Sequence, residues 1–188
     1  MESLHYFRFS FESAEENYSG KLTEWLSGYA ENLYPLNKNA CGIYLATATA
    51  GMDESVEFWR NTLKQTPAFV NPANFPFTLS NAPASCIAKA MGIKGPVYTM
   101  VGGKSALSAC LFNAETDIEN GAVEVVFIIG FDRLGPEIHI AGVMINGSQA
   151  AYISLLQRSI EDAAEDHPSI LMNAVLHEIS VIFPLVIA

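Results

Sequence analysis

One short run carries residue types that do chemistry at a tight turn. Gly102-Gly103-Lys104-Ser105 follows the apolar stretch Val97–Val101 and precedes a helical stretch rich in small residues, 105–118. Three readings fit such a strand–turn–helix. Gly103-Lys104-Ser105 is the ending of a phosphate-binding loop, but that loop needs an earlier glycine where Tyr98 stands, so its backbone N–H cradle is incomplete. A nucleophile elbow aims a helix N-terminus at one exposed side chain, here Lys104 or Ser105, and neither has a base nearby in sequence. The third reading is structural: the two glycines allow a sharp crossover, with Lys104 solvated or paired.

The remaining reactive residues do not cluster. Cys41, Cys86 and Cys110 are odd in number and widely spaced, and His5, His139, His167 and His177 are scattered. No pair has metal-ligand spacing, so neither a metal nor a cofactor is expected. The cysteines, and an N-terminus with no basic or apolar signal region, point to a reducing, cytoplasmic setting. No segment is apolar for long enough to suggest a membrane span. The net charge of −10 argues against nucleic acid and anionic membrane as partners. That charge is segregated: residues 58–114 contain no Asp or Glu but hold Arg60, Lys64, Lys89, Lys94 and Lys104.

The elements that must position the turn are legible from periodicity. With 188 residues, half of them hydrophobic, the chain can build a core as one domain. Residues 4–11 alternate aromatic and polar, as a strand does, and a helix is expected within 13–33, with Trp25, Leu26, Tyr29 and Leu33 at helical spacing. Residues 41–47 form a short buried strand, and a helix over 53–64 starts at Asp53 as N-cap, with Val56, Trp59 and Leu63 in step. Residues 66–78 hold three prolines and three phenylalanines, which predicts an ordered loop without a regular element. A helix from Ser80 or Asn81 to about Ala90 stops at Gly92. Central strands are expected at 41–47, 97–101, 123–130 and 138–145, a helix at 149–165, and one or two strands in the apolar tail 169–188. Trp25 and Trp59 read as helix anchors, and His139 as a satisfied core or interface residue. Phe69, Phe75 and Phe77 read as core or interface packing, and Asp132 as a group that caps or hydrogen-bonds a strand end.

Several motifs occur in a specific order. Gly42-Ile43-Tyr44-Leu45-Ala46-Thr47 is followed by Asn71-Pro72-Ala73-Asn74-Phe75-Pro76 and Leu79-Ser80-Asn81-Ala82-Pro83-Ala84. Met91-Gly92-Ile93-Lys94-Gly95-Pro96 and the segment 114–132 come next. This series resembles the N-terminal half of a β-ketoacyl synthase, of the thiolase-like superfamily, most clearly over 69–132 and more weakly over 42–145. The resemblance implies an α/β fold, a thiolase-like half with a mixed β-sheet and packed helices. It also implies a single ketosynthase-like N-terminal-type domain over 1–188 with a truncated C-terminal half.

The family's nucleophilic cysteine, laid on this chain without gaps, falls on Lys104, between Gly103 and Ser105. Cys86 and Cys110 match no catalytic position. Residues 152–166 resemble the first helix of the family's second half. Leu176-His177-Glu178 does not reproduce its His-Gly-Thr strand, and the second histidine region has no counterpart. A lysine would hold an acyl group as a stable amide rather than a labile thioester, so no Claisen chemistry follows. The resemblance therefore implies a non-catalytic, acyltransferase-homologous subunit, accessory or chain-length-factor-like, in a fatty-acid or polyketide (aryl-polyene-type) pathway. Its implied partner is a second copy or a full-length ketosynthase, in an obligate dimer that pairs the 97–101 strands and covers the tail 181–188. An acyl carrier protein would meet Arg60, Lys64 or Lys89. Two alternatives stay open: an enzyme using Lys104, Ser105 or His177 at the same elbow, and a binding module for an acyl chain or nucleotide.

Overall fold

A computed structural model describes residues 4–12, 22, 24–25, 36–182 and 185–187. The strands are β1 (Leu4–Glu12), β2 (Cys41–Thr47), β3 (Val97–Val101), β4 (Val125–Leu134), β5 (Glu137–Asn146) and β6 (Leu185–Ile187). The helices are α1 (Met52–Gln65), α2 (Ala82–Met91), α3 (Lys104–Glu119), α4 (Ala151–Asp162) and α5 (Pro168–Ile182). The strands form one mixed sheet in the order β3-β2-β4-β5-β1-β6. β2 runs parallel to both β3 and β4, β4 and β5 form an antiparallel hairpin, β1 lies antiparallel to β5, and β6 runs parallel to β1.

β2 is buried along its whole length, and β4 and β5 are buried through their middles, as their near-continuous apolar sequences require. On one face, Tyr44, Val126, Ile128 and Val143 pack against Leu107 and Leu111 of α3, Leu156 of α4 and Leu171 and Val175 of α5. On the other, Ile43, Leu45, Phe127, Ile129 and Phe7 pack with Ile87 and Met91 of α2 and with Leu22. Trp25 stacks on Phe9 there at 4.7 Å between centroids. Trp25 is thus an anchor, whereas most of the helix expected within 13–33 lies outside the described residues.

The structure corrects several expectations. Val97–Val101 lies in the sheet but, among the described residues, at its edge and bonded to β2 alone, so it is not central. The tail 169–188, expected to hold one or two strands, holds one, Leu185–Ile187; most of it, including the 173–177 histidine region, is instead helical, as α5 (Pro168–Ile182). A continuous apolar run has no period of its own, and the length of this one already favoured a helix. The proline-rich segment holds two 3-10 stretches, Pro67–Phe69 and Pro72–Thr78, each led by a proline whose missing N–H costs nothing at a first position. Gly51, not Asp53, precedes α1; Asp53 lies in the first turn and pairs with Arg133 at 3.1 Å.

Trp59 anchors nothing among the described residues. It is 64% exposed, in a row with Met52, Val56 and Leu63, and α1 buries no residue. Phe69 and Phe75 are exposed as well, so of the three phenylalanines only Phe77 packs toward the core. His139 is not a core residue either: it is half-buried, with Nε2 3.1 Å from Glu137 Oε2.

Candidate functional site

The elbow is built by β3, a two-glycine turn and α3. The Gly102 N–H donates to the carbonyl of Thr47 at 2.9 Å, which fixes the end of β3 against β2. Gly102 has φ of 150°, a region that L side chains rarely adopt. At Gly103 the constraint is space: a Cβ there would collide with the carboxylate of Asp166.

That carboxylate defines the site. The Lys104 N–H, at the first turn of α3, donates to Asp166 Oδ1 at 2.7 Å. The Lys104 ammonium reaches the other way, with Nζ donating to the carbonyls of Glu161 at 3.1 Å and Ala163 at 3.0 Å. Those carbonyls lie at the end of α4, where a helix leaves acceptors unpaired and a cation is favoured. The two contacts are reciprocal: an acid sits at the N-terminus of α3 and a base at the C-terminus of α4. Glu165 orders the intervening segment by accepting from the N–H groups of Asp166 at 2.9 Å and His167 at 2.8 Å. Those hydrogen bonds hold its carboxyl below the usual carboxylate range.

Ser105 is exposed beside Lys104, and His177 lies on α5. The thiols are unsuited to nucleophilic work. Cys110 is fully buried inside α3, and burial pushes its thiol up to about 12. Burial also raises Cys41 and Cys86. Among the described residues, no group of three His, Cys, Asp or Glu is placed to hold a metal ion.

Asp132 is fully buried and ties three segments together. Its Oδ1 accepts from the Ala48 N–H at 2.8 Å and the Thr49 hydroxyl at 3.4 Å, and its Oδ2 from the Ser169 N–H at 2.8 Å. It thereby joins the end of β2 to the start of α5, as a carboxylate at a helix N-terminus does.

Arg60, Lys64 and Lys89 are all exposed, whereas Lys104 is half-buried. The β3 edge is apolar as well as open: Val101 is 65% exposed, and Val97, Tyr98 and Phe112 also face solvent. The sequence reading missed Asp166 and the carbonyls of Glu161 and Ala163. No local signal connects them to Lys104, because some sixty residues intervene.

No family model matches the chain. It is 25% identical over 115 residues to the chloroplastic 3-oxoacyl-[acyl-carrier-protein] synthase II of Arabidopsis thaliana, covering 60% of this chain and 20% of that protein. Among solved structures, it is similar to a ketosynthase in complex with its chain length factor from Xenorhabdus doucetiae. That match has a TM-score of 0.51 and 16% identity, over 63% of this chain and 38% of that one. A β-ketoacyl synthase from Burkholderia phymatum matches with a TM-score of 0.55 and 10% identity, over 76% of this chain and 46% of that one. The fold is thus the thiolase-like α/β fold of ketosynthases. The chain spans a fifth of its curated relative and less than half of the solved chains.

Proposed function

We propose that this chain is a non-catalytic ketosynthase-like subunit, an accessory or chain-length-factor-like partner in fatty-acid or polyketide assembly. The observation that carries the reading is the double engagement of Lys104. The position that falls on the family's nucleophile holds an ammonium bound to two carbonyls of α4. The helix N-terminus that would stabilise a thiolate or an oxyanion is met by the carboxylate of Asp166 instead. A protonated amine has no lone pair with which to attack a thioester.

The same reading assigns the exposed apolar surface to association. Among the described residues β3 presents an unpaired strand edge, and Val97, Tyr98 and Val101 make it apolar; such an edge favours strand addition by a partner. α1 adds Met52, Val56, Trp59 and Leu63, an uncovered face of a kind that marks interfaces. A second copy or a full-length ketosynthase is the partner proposed. Arg60, Lys64 and Lys89, in the acid-free stretch, are where an acidic carrier protein would dock.

Two measurements test the reading. Intact-mass analysis after incubation with malonyl and acyl thioesters is expected to show no adduct, and co-expression with a neighbouring ketosynthase is expected to give a stable complex. A stoichiometric acyl adduct on Lys104 that turns over would refute the non-catalytic assignment. A stable monomer that captures no ketosynthase would refute the partnership.

A further inference from the structure

A cleft of about 550 Å³ lies beside the first turns of α5, on the face of β1 and β5 that the helices share. Its volume is that of a small-molecule site. Strand alternation explains why it is polar. Phe7, Phe9 and Phe11 of β1 turn to the α2 side of the sheet, which puts Arg8 and Ser10 on the opposite face. Arg8 lies opposite Ala141 and Ser10 opposite His139, so both flank α5. From α5 itself come Ser169 and, one turn on, Asn173.

Two features of this cleft have no structural explanation. Ser169 is only 2% exposed, yet its hydroxyl has no hydrogen-bond partner, a condition that costs about 1–3 kcal/mol in a buried group. Its own N–H is satisfied by Asp132, so the hydroxyl alone is left over. The second feature is charge. Two nearby carboxylates are engaged: Asp132 accepts from Ala48, Thr49 and Ser169, and Glu137 faces His139. Arg8 has no acidic partner among the described residues. The cleft therefore carries one uncompensated cation, an unused buried donor and the start of a 15-residue helix.

The geometry points to a binding site for a small organic oxyanion, a carboxylate or phosphate gripped by Arg8. The Ser169 hydroxyl donates to the same group, Ser10 and Asn173 supply further donors, and the ligand's apolar body lies along Ala141 and Ile170. A charge-assisted contact from a guanidinium supplies most of the affinity. The Ser169 donor adds selectivity, because a ligand that fails to meet it leaves a buried hydroxyl unpaired. The site uses no elbow residue, so it stands or falls independently of the reading above.

The test is an amide-resolved NMR titration of the full chain with sodium butyrate and, separately, with inorganic phosphate. Ionic strength is held constant with sodium chloride. Saturable shifts centred on Arg8, Ser169 and Asn173 are expected for at least one anion, and whichever saturates identifies the head group. Arg8→Gln is expected to weaken that binding at least tenfold. Ser169→Ala is expected to weaken it several-fold while leaving the thermal midpoint unchanged or raised, since an unpartnered hydroxyl is removed. The proposal is overturned if neither anion gives a saturable shift, if chloride gives the same shifts, or if affinity survives Arg8→Gln.

Discussion

α3 and α1 are helices of similar length, 16 and 14 residues, and each follows a strand of the same parallel pair. α3 buries Ala106, Leu107, Cys110, Leu111 and Ala114 against β2 and its neighbours. α1 carries the larger apolar side chains, Met52, Val56, Trp59 and Leu63, and buries none of them. Hydrophobicity therefore does not decide which helix joins the core. α3 connects β3 back across β2 to β4, and its alanines and cysteine let it approach the sheet closely. α1 leads away from β2 into the proline-rich segment, which leaves its large side chains facing outward. The small-residue helix is a piece of core, and the large-residue helix presents an exposed apolar face, the one proposed above for association.

Mutations on the two helices should separate these roles. The largest effect is expected from Leu107→Ala, which opens a cavity under α3 and should cost about 2–5 kcal/mol in urea denaturation. A cost comparable to that of a surface substitution would mean that α3 does not organise the core. Next is Tyr44→Phe. The Tyr44 hydroxyl donates to Asp117 Oδ2 at 2.6 Å and so fastens the last turns of α3 to β2. Losing this bond to a charged acceptor should cost about 1.5–3 kcal/mol.

The third prediction is a pH dependence. The Cys110 thiol titrates near 9.0 when unfolded and is pushed up to about 12 by burial, so the folded chain holds this proton more tightly. Its contribution is fully present below pH 9.0 and is lost as pH rises toward 12, with a slope of up to about 1.4 kcal/mol per pH unit. Urea melts at about pH 8 and about pH 10.5 should show wild type losing more stability than Cys110→Ala. Equal losses would remove Cys110 from the alkaline transition. The smallest effect on the fold is expected from Trp59→Glu on α1: within about 0.5 kcal/mol, with unchanged circular dichroism. Its consequence should appear in light scattering instead, as loss of the associated species. A Trp59→Glu chain that unfolds would make α1 part of the core after all.

Most of the sheet could be read from the chain. The runs around Cys41–Thr47, 123–130 and 138–145 are β-branched, apolar and of strand length, and all three became buried strands. The small-residue pattern placed α3 and α2, and Gly92, in the left-handed region, ends α2 as expected. The elbow was legible as a place but not as an arrangement. Gly102 and Gly103 announce a tight crossover, yet nothing near Lys104 indicates that its ammonium is bound by α4 or that Asp166 caps α3.

The sequence by itself determined where the strands and most helices run, because side-chain alternation, helical spacing and backbone-breaking residues act over a few positions. It also determined the chemistry available at the elbow, a lysine between a glycine and a serine. Tertiary structure alone decided that β3 lies at the sheet edge, that Trp59 faces outward, and that residues 168–182 coil into α5. It alone brought Asp166 onto the elbow and left the Ser169 hydroxyl facing no partner. These outcomes depend on contacts between residues tens of positions apart. Such contacts are set by which strands pair and which faces are already covered, and no local period in the chain records them.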